Sequence, residues 1–271
     1  MKRRKKFIFA LPVLLLGLIV MGYAGHQMLE TKQIYQEGTS AYERLGDRVK
    51  KTVSEDHPQP QVAGIVDFEH TLLQDQEEKT PIYIPNIEID FDVLKTVNKD
   101  AAAWLYSPGT VIDYPVMEAD DYYYYLNHLP DGTVNSNGSL FIDFNNAADF
   151  SGQLTVVYGH HMKSGLMFGG LVGYKEQAYY DAHPFMYLYT EYENYRIDLM
   201  YGFVISAGQW KERAFMYEEN LESFLAHAMQ NTTFESGVNY EEGDRVVALS
   251  TCSYEFNNAR YVVVGILKSN N

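Results

Sequence analysis

Residues 244–268 read DRVVALSTCSYEFNNARYVVVGILK. Two valine-rich apolar runs flank a short polar segment, in which Asn257 and Asn258 favour a turn. The pattern predicts a buried strand that ends at Cys252 and a return strand that begins at Arg260. Because one turn joins the two strands, we expect Cys252 and Arg260 at the same end of a sheet.

Further β-rich runs, separated by turn residues, fill the chain from Pro81 onwards. They read IYIPNIEIDF, TVIDYPVM, GSLFIDF, LTVVYGH and YRIDLMYGFVIS. About seven or eight strands at this spacing predict a closed barrel or a sandwich. The predicted fold class is therefore mostly β.

Two helical patterns interrupt these strands. Residues 90–106 place apolar side chains on one helical face: Val93, Leu94, Val97 and Ala101. Residues 218–230 carry a second apolar face at helical spacing: Leu221, Phe224, Leu225, Ala228 and Met229. Because the second pattern lies between two predicted strands, we expect this helix to pack against the sheet.

The N-terminal residues predict a membrane anchor. Five basic residues precede 19 uncharged residues that run from Phe7 to Gly25. At about 1.5 Å per residue such a helix crosses a hydrocarbon core of about 30 Å, and the basic flank favours a cytoplasmic N-terminus. The alternative is a cleaved signal peptide, whose apolar region usually runs about 7–15 residues. We predict a cytoplasmic tail and transmembrane signal-anchor in residues 1–26, with the rest of this single-pass membrane protein outside the cytoplasm.

The remaining chain divides into two parts. Residues 27–53 are predicted to form a membrane-proximal helix and residues 54–80 an irregular connector, both outside the cell, and residues 81–271 form the main domain. Within the helix, four apolar or aromatic residues lie close to a heptad seam: Tyr35, Tyr42, Leu45 and Val49. The formal net charge is −15 although the N-terminus is basic, so the domain is strongly acidic. Such a surface repels phosphate, which argues against nucleic acid as a partner.

Cys252 is the single cysteine of the chain, so it cannot form an internal disulfide. It is a buried inert thiol, an intermolecular link or a nucleophile. A cation close to a thiol favours the reactive thiolate, and the guanidinium of Arg260 offers fixed donors to an oxyanion. A structural arginine at the start of a strand fits the same two residues.

A cysteine nucleophile usually needs a histidine as its proton partner. In LTVVYGHHM an apolar strand ends at Gly159 and is followed by His160 and His161. This placement at a strand end matches that of Cys252. Neighbouring side chains point in different directions, so at most one of the two imidazoles faces the thiol. The alternative for either residue is a surface histidine.

Together these residues resemble the sortases, the membrane-anchored cysteine transpeptidases of Gram-positive bacteria. LSTC is similar to the strand-end signature of the family, YGHHM to its strand ending in Gly-His, and Arg260 to the arginine that opens the next strand. IDFDVLKTVNKDAAAWLYSPGTVIDYPVMEADDYYYYLNH and NGSLFIDFNN resemble class B sortases, as does the predicted helix before the cysteine strand. The resemblance covers about residues 81–268, together with the N-terminal anchor.

The resemblance implies a closed eight-stranded sortase barrel with peripheral helices, and a mechanism. Cys252 attacks the carbonyl after the threonine of a C-terminal sorting motif on a secreted protein. His160 donates a proton to the leaving amine, and Arg260 stabilises the oxyanion or positions the substrate. An amine of a peptidoglycan precursor, similar to lipid II, resolves the thioacyl enzyme. Three residues beside the nucleophile are weaker candidates for substrate contacts: Ser250, Thr251 and Tyr254. No metal and no cofactor is implied.

Two other functions fit the same sequence. A pilin-polymerising sortase would use a lysine side chain as the acceptor. A membrane-tethered binding module would use the barrel for protein recognition and keep the thiol inert. The sequence offers no acidic third member of a catalytic triad, because Glu255 is expected to be a solvated loop carboxylate.

Overall fold

The computed structural model describes residues 4–52, 82–210 and 220–269, with side chains described from residue 14. The helices are α1 (Arg4–Val49), α2 (Phe91–Val97), the 3₁₀ helix η1 (Phe168–Lys175), α3 (Gln177–Ala182), α4 (Ala207–Trp210) and α5 (Leu221–Asn231). The strands are β1 (Lys50–Thr52), β2 (Ile87–Ile89), β3 (Ala101–Tyr106), β4 (Asp113–Met117), β5 (Leu140–Ile142), β6 (Leu154–Tyr158), β7 (Phe185–Thr190), β8 (Asn194–Ser206), β9 (Arg245–Ser253) and β10 (Ala259–Lys268).

Eight strands close into a barrel in the order β10-β8-β7-β3-β4-β5-β6-β9. Strand β9 pairs antiparallel with β10 and parallel with β6, and β4 pairs parallel with β5. These directions place the ends of β6 and β9 and the starts of β5 and β10 within one connected region of the barrel wall. The predicted closed, mostly β barrel is therefore confirmed. Strands β1 and β2 form a separate two-stranded sheet.

Strand alternation divides the apolar side chains between the barrel interior and the layer beneath α5. Along β9, Val247 and Leu249 join the interior cluster, which draws on all eight barrel strands. Val246 and Ala248 face the other way and pack in the cluster that contains α5. Helix α5 buries four of the predicted side chains against this layer: Leu221, Phe224, Leu225 and Ala228. The fifth, Met229, is 56% exposed, because it lies at the edge of the buried face.

Helix α1 packs against the barrel through its C-terminal turns. Leu45 and Val49 are buried in a cluster with Trp104, and the Tyr42 hydroxyl donates a hydrogen bond to the Gly138 carbonyl. The helix ends at Val49 rather than at residue 53, because the next three residues form β1 and pair with β2. The predicted connector, residues 54–80, lies outside the described residues.

The predicted membrane-spanning helix is not confirmed. Across the part of the chain that the structure describes, no helix has both the length and the apolar character that a bilayer crossing requires.

The predicted helix at residues 90–106 is wrong in its second half. Asp90 caps α2 by accepting a hydrogen bond from the Val93 amide at 3.0 Å, and α2 ends where Asn98 becomes extended. Ala101 and the residues after it form β3, which pairs with β4 and β7. The alanines favour a helix locally, but pairing with strands on both sides overrides this preference.

Candidate active site

Cys252 and Arg260 lie directly opposite each other on β9 and β10. Side chains at directly paired positions of an antiparallel pair share one face, with Cβ atoms about 4.5–5.5 Å apart. Both residues are partly exposed, whereas β9 before Cys252 is almost wholly buried. The structure thus places the side chains of Cys252 and Arg260 on one face of the hairpin, at its partly exposed end.

Strand β6 carries the histidines to the same end of the barrel. Tyr158 pairs with Ser250, and the Gly159 amide donates to the Ser250 carbonyl at 3.1 Å. Thr251 Oγ1 donates in turn to the Gly159 carbonyl at 2.8 Å. A Cβ at Gly159 would lie only 2.4 Å from Leu140 Cδ2, so glycine is required for this close approach. His160 and His161, which follow Gly159, therefore lie at the end of the barrel that carries Cys252.

The two imidazoles point to different partners. His160 Nε2 lies 2.6 Å from the Leu126 carbonyl oxygen, and His161 Nδ1 lies 2.7 Å from the Cys252 carbonyl oxygen. A carbonyl only accepts hydrogen bonds, so these nitrogens carry the protons. Nδ1 of His160 and Nε2 of His161 are then the ring nitrogens able to accept a proton. Among the hydrogen bonds of the described residues, none joins the Cys252 thiol to either ring.

The three candidate substrate contacts have different surroundings. Ser250 lies on the Cys252 face but is 1% exposed, and its Oγ has no hydrogen-bond partner among the described residues. Thr251 faces the barrel interior, where its hydroxyl is engaged with the Gly159 carbonyl. Tyr254 is 68% exposed, and its ring centroid lies 4.9 Å from that of His161. Of the three, only Tyr254 presents an open surface to a substrate.

Glu255 is held by a lysine rather than by a histidine. Its carboxylate forms an ion pair with Lys175 and accepts a hydrogen bond from the Ser253 hydroxyl. Partial burial raises the pKa of Glu255, but the hydrogen bonds from Lys175 and Ser253 outweigh it and lower the pKa to about 2. Glu255 is thus a charged loop residue, and none of its hydrogen bonds or ion pairs within the described ranges involves His160 or His161.

Sequence reasoning did not identify an aromatic cluster beside the histidine strand. The hydroxyls of Tyr122 and Tyr158 each donate to Asp143 Oδ2 at 3.0 Å. The Tyr122 and Phe144 rings meet edge to face with centroids 4.7 Å apart. Burial and the Asp143 charge raise the pKa of Tyr158, so its hydroxyl stays protonated. The signal in the sequence is the tyrosine run of DDYYYYL. Periodicity alone does not show that this run packs beside β6.

The described side chains offer no donor set for a metal. In the ranges for which the structure gives side chains, no group of three or more His, Cys, Asp and Glu residues is arranged to hold a metal ion.

Comparison with known proteins places this chain in a family. Sortase B of Listeria monocytogenes is 32% identical to this chain over 177 residues, which make up 64% of this chain and 72% of the relative. The chain belongs to the sortase B family. Sortase B of Staphylococcus aureus is 25% identical over 265 residues, 97% of each chain. No family model matches the chain.

Solved structures of sortase B share the fold. A Staphylococcus aureus sortase B–substrate complex matches with a TM-score of 0.61 and 28% identity, over 66% of this chain and 85% of that chain. Clostridium perfringens sortase B matches with the same TM-score and 29% identity, over 66% of this chain and all of that chain. This member of the sortase B family is thus a cysteine transpeptidase.

Proposed function

We propose that the protein cleaves the C-terminal sorting motif of secreted proteins after threonine and joins the new carboxyl end to an amine of a peptidoglycan precursor. The pairing of Cys252 with Arg260 across β9 and β10, beside a strand end that carries His160, is the observation that supports it. Family membership favours this enzyme over a binding module with an inert thiol. Cleavage of a peptide library by the full-length protein in detergent tests it, with mass spectrometry locating the cut.

The reaction proceeds in two steps. The Cys252 thiolate attacks the threonine carbonyl, and a carbon–sulfur bond forms as the carbonyl oxygen becomes an oxyanion. The oxyanion collapses, the peptide bond breaks, and the leaving amine takes a proton from His160. The acceptor amine then attacks the thioester, gives its proton to His160, and releases the Cys252 thiolate.

We assign the proton transfers to His160 rather than to His161. The Leu126 carbonyl holds the proton of His160 on Nε2 and leaves Nδ1 as the basic nitrogen. A fixed hydrogen-bond partner on one ring nitrogen in this way determines which nitrogen exchanges protons in acid–base catalysis. His161 instead donates to the backbone of the nucleophile and packs near Tyr254. It supports the position of Cys252. Catalytic hydrogen bonds often tighten only when substrate is bound. The lack of a hydrogen bond between the Cys252 thiol and the His160 ring among the described residues is therefore compatible with this role.

Replacing Arg260 is expected to slow acylation without unfolding the protein. If Arg260 supplies donors to the oxyanion, Arg260→Ala should lower turnover about 10²–10³-fold. Arg260→Lys keeps the charge but loses the planar fork, so it should remain well below the parent. Single-turnover acylation and the melting temperature are measured on the same preparations.

The alternative to a catalytic role is that Arg260 only stabilises the fold. The Arg260 guanidinium donates to the carbonyl of its own neighbour, Ala259, at 3.0 Å, which is the contact a purely structural arginine would keep. In that case Arg260→Ala would lower the melting temperature and leave acylation of the folded molecules unchanged. Near-parental acylation by folded Arg260→Ala would contradict the catalytic role.

A glycine-type amine of the cell wall is the acceptor we favour over the lysine of a pilin. A solved sortase B is complexed with triglycine, which supports a glycine amine in this family. Staphylococcus aureus sortase B was also solved complexed with MTSET, which supports a site open to small reagents. Offering triglycine and a lysine side-chain amine in equal amounts to the thioacyl enzyme separates the two acceptors by the mass of the product.

We also propose that the N-terminal segment tethers the protein to the cell membrane. Apolar side chains along α1 are exposed, for example Leu16 at 63% and Ile19 at 68%, and water is an unfavourable environment for such a continuous surface. The basic residues before them favour a cytoplasmic N-terminus. Protease added to intact, wall-stripped cells should release the domain that follows residue 27, whereas full protection of that domain would contradict the orientation.

A further inference from the structure

The loop that follows the nucleophile has little apolar packing of its own. Residues 254–258 are all exposed, with Tyr254 at 68% and Phe256 at 48%. A loop with few buried contacts depends on polar interactions to keep one geometry. This loop joins β9 to β10, so its geometry affects the strand ends that carry Cys252 and Arg260.

One lysine provides such polar contacts. Lys175, the last residue of η1, places Nζ 3.0 Å from Ser253 Oγ and in an ion pair with Glu255. The same ammonium lies 5.1 Å from the ring centroid of Tyr261, within the range of a cation–π interaction. All three of these partners belong to the β9–β10 hairpin. Ser253 and Glu255 are also hydrogen-bonded to each other, so the group forms a closed network.

The network lies behind the catalytic pair. Ser253 follows Cys252 and Tyr261 follows Arg260, and neighbouring side chains of a strand point to opposite faces. Tyr261 belongs to the interior cluster, which places Lys175 on the inner side of the hairpin. Cys252 and Arg260 lie on the outer side. The ammonium therefore contacts the immediate neighbours of both catalytic residues from the opposite face.

Glu255 is the acidic member of this network. The pKa of Glu255 is lowered to about 2, so its carboxylate remains ionised at neutral pH and pairs with the lysine there. The Lys175 and Glu255 side chains are 27% and 37% exposed, so solvent screens the pair and its role is geometric rather than a large gain in stability.

We propose that Lys175 is a positioning residue for the transpeptidase reaction. By holding Ser253, Glu255 and Tyr261 together, its ammonium fixes the hairpin so that Cys252 and Arg260 face a substrate in one geometry. The inference rests on the proposed function of Cys252 as nucleophile. A displacement of about 1 Å in a reacting group can cost about 10²-fold in rate, so a residue outside the site can have a large effect.

The test compares three variants of the full-length protein. Lys175→Met removes the ammonium and keeps an unbranched side chain, Lys175→Arg keeps the charge, and Lys99→Met is the matched control because the Lys99 side chain is 93% exposed. We expect Lys175→Met to lower kcat for a sorting peptide about 10- to 100-fold, with KM within about threefold of the parent. Lys175→Arg should recover most of this loss, and Lys99→Met should behave like the parent. Lys175→Gln replaces Lys175→Met if the latter does not fold.

Hydrogen–deuterium exchange separates this inference from the proposed function. In Lys175→Met, amides of residues 253–259 should exchange faster than in the parent, while those of α5 should not change; this readout needs no activity. A parent without transpeptidase activity would defeat the proposed function. A folded Lys175→Met with parental kcat would overturn the positioning role, and so would a loss of activity that Lys175→Arg does not recover.

Discussion

Cys252→Ala is expected to abolish cleavage of a sorting peptide while the protein stays folded. The only thiol of the chain provides the electrons for the thioacyl bond, and no other described residue at this end of the barrel offers an equivalent nucleophile opposite Arg260. Removing the nucleophile of a comparable catalytic unit costs on the order of 10⁶-fold in turnover. Activity should therefore fall to the uncatalysed background, as measured by peptide cleavage.

Stability provides the control for this variant. Cys252 lies at the partly exposed end of β9, and alanine is also small, so the melting temperature should change little. Because the chain has one cysteine, a methanethiosulfonate reagent reports on this position alone. The folded parent should be modified at neutral pH. Parental cleavage by Cys252→Ala would show that another group is the nucleophile.

His160→Ala is expected to have the second-largest effect, a loss of about 10²–10⁴-fold in turnover. General acid–base catalysis usually contributes this much, and both steps of the reaction need a proton transfer. The neighbouring variant His161→Ala is the matched control, because it removes an imidazole one residue away that donates to the Cys252 carbonyl. It should lose far less activity.

The order of the two losses decides between the histidines. His160 and His161 follow the same strand, so a general disturbance of β6 would affect both variants alike. Steady-state turnover of the two variants, each corrected for the folded fraction, gives the comparison. A larger loss in His161→Ala would move the acid–base role to His161 and would show that the Leu126 contact of His160 is structural.

The part of the fold set by local pattern could be predicted from the sequence. Valine-rich runs on both sides of a turn predict β9 and β10, and their pairing follows from the short connection between them. The pattern wrongly predicts helix at strand β3, because AAAWLY contains good helix formers directly after α2. Its strand conformation depends on pairing with β4 and β7, and the distant strand β7 does not show in a local window.

The residues of the candidate site could be predicted from the sequence, but the directions of their side chains could not. Motif positions indicate Cys252, Arg260 and the histidine pair, because all lie where strands begin or end. Which carbonyl each imidazole meets depends on the Leu126 loop, which is 34 residues from His160 in sequence. The same limit applies to Lys175, whose partner Glu255 lies 80 residues away and could not be paired with it from sequence alone.

Trapping the covalent intermediate tests whether Cys252 is the nucleophile. The full-length protein is mixed with a sorting peptide without acceptor amine, quenched in acid, digested and analysed by mass spectrometry. We predict an acyl adduct, ending in threonine, on the fragment that contains Cys252, absent from Cys252→Ala and lost when triglycine is added before the quench. Product formation with no adduct on Cys252, or an adduct on another residue, would contradict the assignment of Cys252 as the nucleophile.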